Sequence, residues 1–424
     1  MFREFRFDFT TPGARANAMG RAFVGLSDEA TAAYNNPAGL AVLNAPEFSV
    51  EFRQNDNTFQ SLAERGYFTL SSFNTDADQL GVDSSRLKDL TFASFSISRG
   101  NVNLNAFYTN QLNYQRSRSI ETSLWEFESP DNYYTFNYDN RFDVEKIRLD
   151  TFGFSLSRRW GHMSWGVSLA ISKLDLDYIY RTSLSSDDIL LDDQVRSSAD
   201  HTTAKLAYVL GWQYQVHPKV KLALSAKRLP KFTYPEVFRN NQILQEQGED
   251  AEVEASVQFK IPDSYQIGMA FQPNDFWTVV AEVNWIQYQQ LSGDNLTILS
   301  TIDIGRPDFF QFSQSDFENA NDPSLHLGLE YLWPRGRDIY AFRCGAFHEA
   351  DHKTRFVGRP NDDEENLREL FDIQDFIYNT GDNEESMGFT LGIGYVRNNR
   401  IQVDVAYVES DDFKSWVTSM LYRF

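Results

Sequence analysis

The chain has 424 residues, 42% of them hydrophobic and 23% charged, with a formal net charge of −21. That charge argues against a nucleic-acid partner, which would want a basic face. No apolar run approaches the roughly 18 residues a membrane helix needs, which excludes a helical membrane protein, and the single Cys344 excludes an internal disulfide framework.

An average can hide a membrane wall. A β-barrel has a polar lumen and polar loops, so a mean hydropathy of −0.47 is compatible with a lipid-facing band. Aromatic content of 15%, with 35 Phe and 20 Tyr, suits barrel walls and interfacial girdles.

In chain order, residues 1–11 (MFREFRFDFTT) are charged and lack the apolar core of a cleavable export signal, so the numbering is expected to be that of a processed form. Phe5, Phe7 and Phe9 alternate with Arg6 and Asp8, which gives an extended arm one aromatic face. Residues 11–43 are rich in Ala and Gly, lack period 2, and are expected to form short helices broken at Gly13, Gly20, Gly25 and Pro37. Small residues pack closely in confined space, which predicts a plug (residues 1–45) inside a barrel (residues 46–424).

Period-2 alternation then marks fourteen strands. They are expected over 47–54, 89–99, 102–112, 148–159, 163–180, 204–216, 220–229, 253–271, 276–291, 324–333, 338–348, 387–397, 400–409 and 414–424. Tight turns at Gly100, Gly161, Pro218, Pro273-Asn274, Arg335-Gly336 and Asn398-Asn399 mostly alternate with longer connections. This is the pattern of an antiparallel transmembrane barrel with its short turns on the periplasmic side. Trp160, Trp165, Trp212, Trp277 and Trp333 fall near tight turns, where one interfacial belt is expected, and Trp285 lies towards the opposite belt. In the strand over 163–180 the apolar residues change from odd to even positions near Ser172-Lys173, which predicts a β-bulge. The last strand puts Trp416, Thr418, Met420, Tyr422 and Phe424 on one face, and it ends on an aromatic residue as clients of the outer-membrane insertion machinery do. A soluble sandwich or propeller is the competing all-β reading, disfavoured by long alternating strands without a repeat unit.

Several stretches resemble the FadL family of outer-membrane long-chain fatty acid transporters. They are Gly13-Ala14-Arg15-Ala16, Met19-Gly20-Arg21-Ala22-Phe23, Ser27-Asp28-Glu29-Ala30, Asn35-Asn36-Pro37-Ala38-Gly39-Leu40, and the wall segment Ile261-Pro262-Asp263-Ser264-Tyr265-Gln266-Ile267-Gly268 with Gln272-Pro273-Asn274-Asp275. The resemblance implies a fourteen-stranded barrel with an N-terminal hatch and a hydrophobic ligand leaving sideways at a kinked strand. The Gly-Ala-Arg and Asn-Pro-Ala-Gly-Leu patterns are also similar to those of PorV-type barrels of type IX secretion, which carry secreted proteins, and the sequence leaves that alternative open. On either reading, residues Asn35, Asn36, Pro37, Ala38, Gly39 and Leu40 are the candidate gating turn, with side-chain hydrogen bonds from the asparagines and a direction fixed by Pro37. A purely structural role for that turn is the alternative. Phe2, Phe5, Phe7 and Phe9 are the candidate ligand-binding arm, and a frayed terminus is its alternative.

No cofactor is expected. His348-Glu349-Ala350-Asp351-His352 matches a zinc-protease pattern, but His348 ends a predicted strand and His352 enters a polar loop, so the two do not share a helical face. Asp362-Asp363-Glu364-Glu365 is read as part of a solvated outer loop, with divalent cations at the lipopolysaccharide surface as the alternative. Asn295-Leu296-Thr297 has the glycosylation pattern by chance. No Ser–His pair stands out for a lipid-hydrolysing barrel, so no enzyme is expected. The expected partners are a hydrophobic small molecule, outer-membrane lipid and lipopolysaccharide, and, on the shuttle reading, a secreted protein or lipoprotein.

Overall fold

The computed structural model describes residues 11–60, 68–70, 73–77, 82–128, 133–186, 193–240, 252–291, 316–350, 354–358, 385–411 and 413–424. Fourteen wall strands form a closed antiparallel barrel. The first six are β1 (Glu47–Gln60), β2 (Val82–Arg99), β3 (Val102–Glu128), β4 (Tyr133–Trp160), β5 (Met163–Ser186) and β6 (Asp193–His217). Two are interrupted: β7 runs as Val220–Arg228 and Lys231–Asn240, and β8 as Glu252–Lys260 and Ser264–Phe271. The ring is completed by β9 (Trp277–Ile286), β10 (Ser324–Arg335), β11 (Asp338–Glu349), β12 (Ser386–Arg397), β13 (Ile401–Glu409) and β14 (Phe413–Arg423). The last strand pairs back onto the first, from Glu47↔Arg423 to Asn57↔Phe413, so the sheet has no free edge. Among the described residues no helix is long and apolar enough to cross a membrane; the crossing is made by strands, whose backbone polar groups pair within the closed sheet.

The alternation in sequence becomes an inside and an outside. In the second part of β8, Ser264, Gln266, Gly268 and Ala270 face inward, while Tyr265, Ile267, Met269 and Phe271 face outward. In β14, Ser415, Val417, Ser419 and Leu421 are buried, and Trp416, Met420 and Phe424 are exposed on the lipid side. The outward aromatics collect near the short turns, as in the stacked Trp212–Tyr214 pair (5.9 Å) and the Trp277–Tyr331 pair (4.7 Å). Trp285 is exposed at the other end of β9, as its position in the sequence suggested.

Three strand expectations change. Strands β1 to β6 extend beyond their predicted outer ends. The expected strand over 276–291 ends at Ile286, followed by a 3-10 turn over Tyr288–Leu291. The bulge expected at Ser172-Lys173 is absent: β5 pairs with β6 in one unbroken register, and even residues from Ser164 to Leu176 all face inward. What changes there is chemistry, since the inner face passes from Ser164 and Ser168 to Leu174 and Leu176 while the outer face passes from Leu169 and Ile171 to the exposed Lys173. The register shifts lie elsewhere, between Glu51 and Phe52 against β2, at Asn110/Leu112 in β3, at Phe142/Val144 in β4 and at Gln215/His217 in β6.

Phe424 packs edge-on against Phe95 (6.1 Å) and Tyr422 (4.9 Å) on the lipid side of the closure. Replacing Tyr422 and Phe424 together with Asp puts charge on that rim. The heat-modifiable barrel recovered in outer-membrane fractions should fall several-fold, measured by comparing boiled and unboiled samples on gels.

Candidate functional site

Residues 11–43 form a segment that lies inside the ring. Its helices, α1 (Ala14–Ala18), α2 (Ala32–Asn35) and the 3-10 turn Pro37–Val42, are too short to hold alone. They are held by the wall, whose side chains take up the segment's backbone groups. Glu47 Oε1 accepts from Ala30 N at 2.7 Å, Glu282 Oε2 accepts from both Phe23 N and Val24 N at 2.9 Å, and Glu51 accepts from Gly13 N. In the other sense, Ser168 Oγ donates to Ala33 O at 2.6 Å, Ser225 Oγ to Asn35 O at 2.6 Å and Thr390 Oγ1 to Ala18 O at 2.9 Å.

The wall is also dented to receive it. A Cβ added at Gly166 would lie 2.6 Å from Ala38 N, and one at Gly211 would lie 2.8 Å from the same atom, so both glycines are needed for the Asn-Pro-Ala-Gly-Leu turn to reach the wall. Gly268 faces Gly25 in the same way, and Gly345 faces Gly20.

Asn36 caps the 3-10 turn, accepting from Ala38 N at 3.2 Å, with Pro37 in the first position. Its Nδ2 donates to Val24 O (3.2 Å) and to Trp212 O of the wall (3.4 Å), while Asn35 Nδ2 donates to Pro12 O (3.2 Å). Gly39 lies against the backbone of Ser27, and Ala38 and Leu40 are fully buried. Phe2, Phe5, Phe7 and Phe9 lie outside the described residues, as do His352, Asp362-Asp363-Glu364-Glu365 and Asn295-Leu296-Thr297. His348 sits on β11.

The interior has two unlike sides. On one, charges join the segment to β10, β11 and β13. Arg15 forms a two-point pair with Glu330 (2.9 and 2.8 Å) and bonds Asp28 (2.7 Å), and Arg343 bridges Glu330 (2.6 Å) to Asp404 (2.7 Å). Although burial disfavours its charge, Asp28 and Glu330 hold Arg15 well above its ordinary value. Burial pushes the neighbouring Glu29 carboxyl up to about 7 against the pull of Arg15.

The other side is apolar. Phe92, Phe107, Ile147, Leu149, Leu174, Leu176, Val209, Phe232 and Phe259, from β2 to β8, form one buried cluster with Tyr34, Leu40 and Leu43 of the segment. β5 contributes to it where its inner face turns from serine to leucine.

Beside this cluster the wall parts. β2 and β3 pair only from Arg99↔Val102 to Phe92↔Thr109 among the described residues, although β2 stays paired with β1 to Val82 and β3 with β4 to Glu128. Thr91 and Gln111 are the extra residues of two bulges at this level, and bulges twist strands apart. Further out, the short strand Phe73–Ala77 takes the place of β2 on the edge of β3, from Phe73↔Phe127 to Ala77↔Ser123, so the parting is a window between these two pairings. Asn113 Nδ2 and Arg148 Nη1 both donate to Asp89 Oδ2, at 2.6 and 2.7 Å, and tie its edges together.

These features define a transmembrane β-barrel with an occupied lumen and a side window. No protein-family model matches the sequence, and no curated protein matches it. Solved structures do: a Pseudomonas aeruginosa FadL homologue (TM-score 0.66, 12% identity, 98% of this chain and 99% of that one), the Ralstonia pickettii toluene transporter TbuX (0.58, 12%, 99% and 100%) and the monoaromatic hydrocarbon channel CymD (0.55, 12%, 99% of each). The chain therefore has the fold of the FadL-type outer-membrane barrels, as the Asn-Pro-Ala-Gly-Leu motif suggested.

Sequence reasoning missed the inward glycines and serines of the wall. Their signal was available as small residues on the inner parity at Gly166, Ser168, Gly211, Ser225 and Gly268, but it acquires meaning only beside a partner backbone.

Glu330→Gln leaves two buried arginines short of a counter-charge and should cost about 3–5 kcal/mol, read as a lower denaturant midpoint in detergent. Gly211→Val should cost roughly 1–3 kcal/mol through overpacking and make residues 11–45 accessible to protease while the barrel remains heat-modifiable.

Proposed function

We propose that this barrel carries hydrophobic small molecules passively across the outer membrane, through the apolar interior and out through the window between β2 and β3. The carrying observation is the buried apolar cluster of β2 to β8, seated on Tyr34, Leu40 and Leu43 and lying beside that window. A purely aqueous pore would not line its interior this way, since polar solutes gain nothing from apolar walls, whereas each CH₂ removed from water is worth about 0.8 kcal/mol. The N-terminal segment acts as the hatch, with the Asn35–Leu40 turn setting its position and the aromatic arm Phe2, Phe5, Phe7 and Phe9 adding apolar contact area to the ligand. The wall hydrogen bonds to the segment's backbone support a hatch that stays seated, which makes a sideways route the economical one. Two of the similar structures are a toluene transporter and a monoaromatic hydrocarbon channel, which supports testing aromatics beside long-chain fatty acids.

The test pairs binding with uptake. In purified protein, Leu174→Asp should weaken binding of oleate or toluene about tenfold, near 1.4 kcal/mol, and removal of residues 1–9 should weaken it less. In a Cys344→Ala background, Asp89→Cys with Asn113→Cys should close the window on oxidation, lowering uptake while binding persists, with recovery in dithiothreitol. A disulfide tying the Asn35–Leu40 turn to the wall should show whether the hatch must move. Absence of binding to any apolar probe, together with a co-purifying secreted protein, would replace transport with the PorV-like shuttle.

A further inference from the structure

The wall has a second seam, on the far side of the apolar cluster from the window. β6 pairs with β7 from His217↔Val220 to Tyr208↔Arg228, and again from Ser198↔Val237 to Val195↔Asn240. Between these stretches, residues 199–207 of β6 and 229–236 of β7 carry no ladder pairing with one another, although β6 stays paired with β5 and residues 231–236 with β8, and the register on either side is nearly the same. A continuous wall in lipid cannot leave such groups idle, and at the β7 elbow they are diverted. Leu229 N donates to Asp263 Oδ1 (2.9 Å), Leu229 O accepts from Lys260 Nζ, and Pro230 and Pro235 have no N–H to give. Asp263 is itself fixed by Lys260 (2.7 Å) and by Gln290, which accepts from Asp263 N at 3.0 Å. The Ile-Pro-Asp-Ser motif thus holds the elbow of β7 away from the ladder of β6.

Accessibility changes at the same height. On the inner parity of β6, Ala199 and Ala207 are buried, while Lys205 between them is exposed and His201 and Thr203 are partly so. Leu229, Phe232 and Tyr234 of the apolar cluster line the opposite edge. Outside, Leu206 is 77% exposed, and Arg228 and Lys231 stand exposed beside the elbow.

We propose that this seam is a second lateral mouth, through which an acidic amphiphile such as a long-chain carboxylate passes between the apolar interior and the outer leaflet. The apolar edge takes the chain, and Arg228 and Lys231 suit the carboxylate in a protein otherwise rich in negative charge. This rests on the transport reading above.

The probe is radiolabelled oleate, and the variant is Thr202→Cys with Thr233→Cys in a Cys344→Ala background. These exposed positions face one another if the flanking register is continued across the seam. Oxidation should lower oleate uptake about twofold if two routes conduct alike, with recovery in dithiothreitol and unchanged binding to the purified protein. Uptake at the unstapled rate with the disulfide fully formed overturns the second mouth. Should the pair resist oxidation, a benzophenone attached at Thr233→Cys decides: photolabelling by oleate supports the mouth, and no labelling overturns it. Failure of the unstapled protein to bind oleate would instead overturn transport of such ligands, and the mouth with it.

Discussion

The arrangement depends on hydrogen bonds between wall side chains and the backbone of a segment that belongs to no sheet. A chain in the lumen has N–H and C=O groups with neither a strand partner nor bulk water, and leaving them unpaired costs free energy comparable to a lost hydrogen bond each. The wall answers with carboxylates for the N–H groups (Glu47, Glu51, Glu282) and hydroxyls for the carbonyls (Ser168, Ser225, Thr390). Because hydrogen bonds to charged groups are stronger than neutral ones, the segment is held in one position without a large hydrophobic core of its own. The dents at Gly166, Gly211, Gly268 and Gly345 follow, since such bonds form only where the two backbones come close.

Holding the segment this way divides the lumen. The charged lattice Arg15–Glu330–Arg343–Asp404 occupies the side of β10, β11 and β13, which frees β2 to β8 to be apolar inside above the segment. Apolar residues facing both lipid and lumen would leave those strands with little to fix which face is which. Here the ambiguity is reduced because the inner face is polar and small where it meets the segment and turns apolar only beyond it, as from Ser168 to Leu174 in β5.

Much of the wall was legible because lipid imposes a strict period on the outward residues. All fourteen strands and most of the tight turns followed from it, and the exposed Trp160, Trp165, Trp277 and Trp333 marked one belt. The outer extensions of the strands were not legible, since lipid imposes its period only on the part of the wall it touches. The inner face was harder still. The odd-to-even change at Ser172-Lys173 resembled a bulge because period alone cannot distinguish a shifted backbone from a change of solvent on the two faces. The register shifts that do occur, such as those at Thr91 and Gln111, carry no pattern break that stands out. For the candidate site, the Asn36 cap and Pro37 were readable from local chemistry, whereas Gly166 and Gly211 required a partner remote in sequence.

The segment touches the first strand and the last alike: Glu51 holds Gly13, and Ser419 Oγ accepts from Ala14 N at 3.3 Å while Val417 packs with Ala14 and Ala18. The seam that closes the cylinder is therefore built partly from residues that belong to neither of its two strands. The closing strands and the segment share side chains, so each adds to the stability of the other. The segment thus bridges the two ends of the sheet from within, an inner clasp across the line where the cylinder closes.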